Sequence, residues 1–320
     1  LPTYRGQDSV KIYKKEGEIF MKKDWLTKKR KDNLVGVLFA LPWFIGFAVF
    51  TAYPIIASLF FSFTESHVTL SPKWVGLGNY IKIFKDYLFT KSFYNTLWYA
   101  AGLVPLGLIA GLVLALLLVQ PLKERSFYRG MIYLPSLVPY YAFATIVLWF
   151  FNPYFGIVNG LLSYLGINGP NWTSSEKWIK FTIVLASQWG AGTTALIYMA
   201  AINDIPKELY EAAMIDGANR WQMFWKITFP LISPATLYYL ITATISAFQI
   251  FDMPQIMTNG TGNPANSSLS YVMYLYRQAF RYTNMGLASA MAWILFLISL
   301  VLVILIFKTS ARWVFYGTER

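Results

Sequence analysis

The sequence contains no cysteine and a single histidine, His67. The first absence excludes disulfides, thiolate zinc sites and cysteine nucleophiles. The second leaves metal clusters and histidine-dependent triads almost nothing to work with, so no catalytic residue and no metal ligand is assigned. Charge is scarce as well: Asp, Glu, Lys and Arg make up 13% of the 320 residues, where an ordinary soluble domain holds about 25%. No G-x-x-x-x-G-K-[ST] occurs and the dipeptide GK is absent altogether. The phosphate cradle of an ATPase is therefore missing.

Apolar residues fill that space, at 56% hydrophobic and 18% aromatic. No single aqueous core could hide so much apolar surface, so the solvent of this chain is lipid. A span needs about 20 apolar residues to cross roughly 30 Å of hydrocarbon. Candidate runs lie at 34–63, 93–119, 131–151, 179–202, 229–251 and 284–307. The first contains Pro42 and Pro54, which lipid-embedded helices tolerate better than soluble ones. It is too long for a signal-peptide core and is expected to be retained.

Six spans put both ends on one side. With that topology, 19 of the 27 Lys and Arg residues share a face: the tail before the first span, Lys123, Arg125, Arg129, Lys207, Arg220, Lys226, Lys308, Arg312 and Arg320. Cytoplasmic segments collect such residues, so both termini are expected in the cytoplasm. The net charge of +12 is then mostly topology, and nucleic acid is not an expected partner. Within the span limits only Lys180 is charged, at an edge where it can snorkel. No proton path is visible in the spans.

Between the fourth and fifth spans lies ELYEAAMIDGANRWQMFWKITFPLISPA, which is neither a short turn nor a polar linker. Asn203 or Asp204 can cap a helix there and Pro206 suits its first turn. Leu209, Ala212 and Ala213 then share a shallow face, and Gly217 suits a left-handed stop. Asn219 can cap a second helix, whose Trp221, Phe224 and Trp225 suit a membrane interface. One reading is an ordered loop with an interfacial helix. The other is a rigid knob presented to a soluble partner.

The pattern E-A-A, three residues, Gly, nine residues, Ile, one residue, apolar, Pro fits Glu211, Ala212, Ala213, Gly217, Ile227, Phe229 and Pro230. It resembles the coupling-loop signature of membrane subunits of ATP-binding-cassette importers, with Phe229 where Leu is usual. The version EAAMIDGA resembles the carbohydrate-uptake branch. Colinear stretches from Leu38 to Tyr316 agree, among them WVGLGNYIKIF, FYRGMIYLPSLVP and NPYFGIVNGLL. The resemblance implies an all-α integral membrane protein of the type I importer permease fold, with six transmembrane helices, in a bacterial inner membrane. The span limits and the charge distribution divide the chain into a basic cytoplasmic tail at 1–33, a permease domain at 34–307 with a coupling loop at 203–228, and a cytoplasmic tail at 308–320. Glu211, Ala212, Ala213, Asp216 and Gly217 would dock on a separate ATPase, which alone would hold ATP and Mg. The other implied partners are a second permease, related but different, a second ATPase copy, a solute-binding protein and membrane lipid.

For the solute, sugars are held by aromatic faces and neutral hydrogen-bonding groups. The spans flanking the coupling loop offer Gln188, Trp189, Thr193, Ser246, Phe248 and Gln249, with Asp252 at the outer end. Packing is the stronger reading for Thr193, Thr194 and Thr244, a pathway role for Gln188 and Gln249, and an interfacial cap for Asp252. Arg277 and Arg281 read as headgroup anchors that could also attract a carboxylated sugar. General likeness to permeases for alginate oligosaccharides points to a saccharide, including acidic ones. A glycerol-phosphate importer is the near alternative, and an ion-coupled carrier or a membrane enzyme the distant ones.

Overall fold

A computed structural model describes residues 11–15, 18–22, 28–67, 71–121 and 123–315. Much of the basic tail at 1–33 and the end of the tail at 308–320 lie outside the described residues. The chain divides into two units, Leu1–Phe60 and Phe61–Arg320.

In the first unit, strands Lys11–Lys15 and Glu18–Lys22 pair antiparallel, with Ile12 opposite Met21. A helix Lys28–Phe47, a π turn Ala48–Ala52 and a helix Tyr53–Ser62 follow, the last ending two residues past the unit's limit. The π turn ends two residues before Pro54, which has no N–H to give the ladder. The wider turn re-registers the backbone bonds around it. The same device recurs later, where a π turn Phe224–Thr228 precedes Pro230.

The second unit is organised around the helix Tyr87–Val119, which Asp86 caps by accepting from Leu88 N at 2.8 Å. This helix supplies residues to all three buried clusters: Phe89 and Ala100, then Tyr99, then Leu112, Ala115 and Leu118. It packs against helices Ala191–Asn203 and Ser233–Phe248. Glycine permits the approach at Gly111, where an added Cβ would stand 2.4 Å from Thr194 Cγ2. Such small-residue contacts bring helices together in lipid, where water supplies no driving force.

Polar residues of the same helix hold the segment before Tyr271. Asn95 Nδ2 donates to the carbonyls of Asn266 and Leu269 at 2.9 and 3.0 Å, and Tyr99 Oη donates to that of Ser268 at 3.2 Å. Lys180 Nζ donates to Asn95 Oδ1 at 3.3 Å and lies over the Tyr94 and Trp98 rings. Tyr274 donates to Asp86 and accepts from Gln278 Nε2 at 2.7 Å. Burial, and then the Asp86 carboxylate, push the Tyr274 hydroxyl up, so it stays protonated and donates.

Among the described residues, three helices are long and apolar enough to cross a membrane: Asn33–Ser62, Tyr87–Val119 and Met285–Ser310. Two bent pairs bring the number to five, Ser126–Leu137 with Tyr140–Phe150 at 96° and Arg220–Leu231 with Ser233–Met257 at 64°. The first bend falls at Pro135 and Pro139, the second beside Pro230 and Pro234. Residues 179–202, expected as one uninterrupted span, are two helices, Glu176–Ser187 and Ala191–Asn203, joined by a 3-10 turn at Gln188–Gly190.

Candidate functional site: an exposed helical knob and a polar cavity

The knob begins where the previous helix ends. Asn203 is the last residue of that helix and Asp204 its C-terminal cap, so both precede the cap position of the next one. This corrects the expected cap: Pro206 precedes the helix Lys207–Ile215, and no side chain caps it. Leu209, Glu211, Ala212, Met214 and Ile215 are exposed, whereas Tyr210 and Ala213 are half-buried. Gly217 adopts φ +77°. Its N–H donates to Met214 O at 3.1 Å, and Ala218 N donates to Ala213 O at 2.9 Å. This pair of bonds is the Schellman closure, which satisfies carbonyls that the helix end would leave open. Asn219 then caps the next turn with Gln222 reciprocating, at 2.9 and 2.8 Å. The capping box fixes the exit direction within two residues of the stop. Trp221 and Trp225 project outward, their rings 5.6 Å apart.

A cavity of about 500 Å³ lies between the central helix, the broken helix pair and the helix Ser233–Phe248. Of the residues singled out in the sequence, Gln188, Thr193, Thr194, Ser246, Gln249 and Asp252 line it. Trp189 and Phe248 do not: Trp189 stacks on Phe143 at 5.5 Å, and Phe248 is buried in the core. Gln188 Nε2 donates to Val184 O at 3.0 Å, which leaves its carbonyl oxygen towards Gly107 and Tyr239. Tyr239 in turn donates to Val104 O at 2.9 Å. The 3-10 turn aims Gln188 inward, because it displaces the side chains that follow from the regular helical stripe.

Sequence reading missed Tyr140, Tyr238 and Thr242, which also line the cavity. A signal was present for two of them: Tyr238, Thr242, Ser246 and Gln249 recur at helical spacing on one face. The lining offers neutral hydroxyls, two amides and tyrosine faces, with Asp252 its one charged residue. Arg277 is a correction. Its guanidinium is buried and donates twice to Gly260 O, at 3.0 and 2.6 Å, so it clamps a loop where an exposed anchor was expected. Arg281 is exposed.

Residues 104–314 match a family model described as the binding-protein-dependent transport system inner membrane component. The chain belongs to this family. It is a multi-pass inner-membrane protein of the ATP-binding-cassette importer permease kind; the knob lies within the matched residues, as does the cavity lining except Leu103. It is 40% identical over 295 residues to a probable ABC transporter permease protein, YesP, of Bacillus subtilis, covering 91% of this chain and 94% of that one. It is 34% identical over 272 residues to the sulfoquinovosyl glycerol transport system permease protein SmoG of Agrobacterium fabrum, covering 84% and 88%. A bacterial ABC transporter involved in the import of the acidic polysaccharide alginate has a chain of the same fold, with a TM-score of 0.79 and 25% identity. The match covers 91% of this chain and 99% of that one.

Proposed function

We propose that this chain forms half of the translocation pathway of an ATP-driven saccharide importer. It would work beside a second, related permease, two ATPase subunits and an extracytoplasmic solute-binding protein. The observation that carries the reading is the exposed helix Lys207–Ile215, bearing Glu211, Ala212 and Ala213 of the coupling pattern, capped at Asp216 and stopped by Gly217 at φ +77°. An exposed helix with small side chains lets a partner approach its backbone, and Glu211 offers that partner a charge. ATP and Mg act on the ATPase, and this chain contributes no catalytic group. Saccharide is supported by the hydroxyl-rich cavity, with Asp252 its one charged residue, and by the solutes named for the relatives.

The topology belongs to the proposal. The three long helices, the two bent pairs and the broken pair Glu176–Asn203 make six spans, with residues 1–33 and 308–320 in the cytoplasm. The absence of cysteine supplies the test, because single introduced cysteines report without background from this chain. Positions 28, 125 and 220 are expected to label only from the cytoplasm, and positions 73, 176 and 263 only from outside. The assembled chain is expected to co-purify with an ATP-hydrolysing subunit. Labelling of position 220 from outside, or uptake driven by an ion gradient with no ATPase bound, overturns the proposal.

The cavity has its own prediction. Gln188 and Gln249 each carry amide groups that are costly to bury unpaired and suited to sugar hydroxyls. Gln249→Ala is expected to reduce saccharide uptake by about tenfold, the worth of one or two lost hydrogen bonds, while ATPase docking survives. Gln188→Ala also frees Val184 O, so it is expected to lower detergent stability too. Unchanged uptake by both variants removes these residues from the path.

A further inference from the structure

An exposed knob transmits force only if something ties it to the span behind it, and few groups do so here. In the helix Lys207–Ile215 only Tyr210 and Ala213 are half-buried, and only Tyr210 has a side chain long enough to reach another element. Its ring packs on the cluster around Tyr198 and Ile232. Its hydroxyl shares a 2.8 Å hydrogen bond with Thr228 Oγ1, a residue that is 5% exposed. Thr228 ends the π turn just before the chain bends by 64° at Ile232. Beyond the bend the ties run elsewhere: Tyr198 Oη donates to Thr236 Oγ1 at 3.3 Å, and Tyr239 Oη to Val104 O at 2.9 Å. At the bend itself Ser233 Oγ donates to Pro230 O at 2.5 Å and accepts from Phe315 N at 2.8 Å.

We propose that the Tyr210–Thr228 hydrogen bond is a strut that makes the knob and the segment Arg220–Leu231 turn as one lever about Ile232. The inference rests on the function proposed above and names the residue that couples its two ends. Tyr210 is a positioning residue: it touches neither nucleotide nor cavity. Without the strut, the two short helices are joined by the turn at Gly217 and Asn219 and by non-directional packing of the Tyr210 ring. Motion of the knob is then absorbed there before it reaches the bend. Hinges of this kind work only when the bodies on either side are stiff. A Phe in place of Tyr210 keeps the ring packing and removes only the bond, so it separates the strut from the core. The freed Thr228 hydroxyl can bond back to the carbonyl four residues earlier, as helix threonines do.

The test uses the assembled importer with spin labels on cysteines placed at Lys207 and Lys226, the other subunits carrying no reactive cysteine. Distances are read with and without a non-hydrolysable ATP analogue. The original pair is expected to give one narrow distribution in both conditions. Tyr210→Phe and Thr228→Val are each expected to raise the population outside that peak about fivefold with the analogue bound, the worth of one net hydrogen bond. Thr228→Ser, which keeps a hydroxyl, restores the narrow peak. Bound ATPase stays at its original level throughout. Distributions that remain narrow in both bond-deleting variants overturn the strut. So does loss of the ATPase from Tyr210→Phe, which would make Tyr210 a docking residue. An unsubstituted chain that binds no ATPase sinks the proposed function instead, so the two failures are distinct.

Discussion

Gly217→Pro is expected to abolish saccharide uptake and to strip the ATPase from the assembled importer, while the chain still inserts in the membrane. Proline holds φ near −65° and Gly217 stands at φ +77°, so the left-handed stop cannot form. Proline also deletes the N–H that donates to Met214 O. The knob then either runs on as helix or frays, and Asn219 no longer starts the next turn in the right direction. Gly217→Ala is the informative companion. Nothing lies within 4 Å of an added Cβ, so its only cost is the backbone conformation, about 1 kcal/mol. That variant is expected to keep a fraction of wild-type uptake. Glu211→Lys reverses one exposed charge without touching the stop, and it is expected to weaken ATPase docking with the helix intact. Co-purification and uptake in reconstituted vesicles measure all three. Wild-type uptake by Gly217→Pro would end the mechanical reading of the knob.

Gly192→Val is expected to be severely damaging inside the bundle. An added Cβ there would stand 2.0 Å from the carbonyl oxygen of Ile132. That atom belongs to the backbone and cannot rotate away, so the helices Arg125–Tyr133 and Ala191–Asn203 must separate. Overpacking of this kind costs about 1–3 kcal/mol where side chains can yield, and more where they cannot. The expected result is a large fall in the detergent melting temperature, together with loss of uptake as Thr193 and Thr194 leave the cavity wall. Gly130→Ala is the control: it sits in the facing helix with nothing within 4 Å, and alanine favours helix. Equal stability of the two variants would show that these helices do not pack as described.

What the sequence determined by itself was local or compositional. Low charge and long apolar runs dictate a lipid solvent, because the cost of burying a backbone or a charge in hydrocarbon depends on nothing distant. The stop at Gly217 and the cap at Asn219 are decided by the allowed φ of one residue and the reach of one side chain. Tertiary structure decided where side chains over a distance point. Asn95 meets Leu269 across 174 positions, and no period in either segment announces it. Arg277 reads as an interfacial cation until the loop at Gly260 folds over it and supplies a carbonyl. Asn203 and Asp204 have the right chemistry to cap the knob, but the preceding helix runs on through them and Pro206 stands at the cap position instead. Gln188 faces the cavity and Trp189 turns away to Phe143 because one 3-10 turn shifts the register of a helix that the sequence presents as continuous. That shift exists only where the broken helix packs on its neighbours, since a 3-10 turn has poorer hydrogen-bond geometry than the α-helix it interrupts.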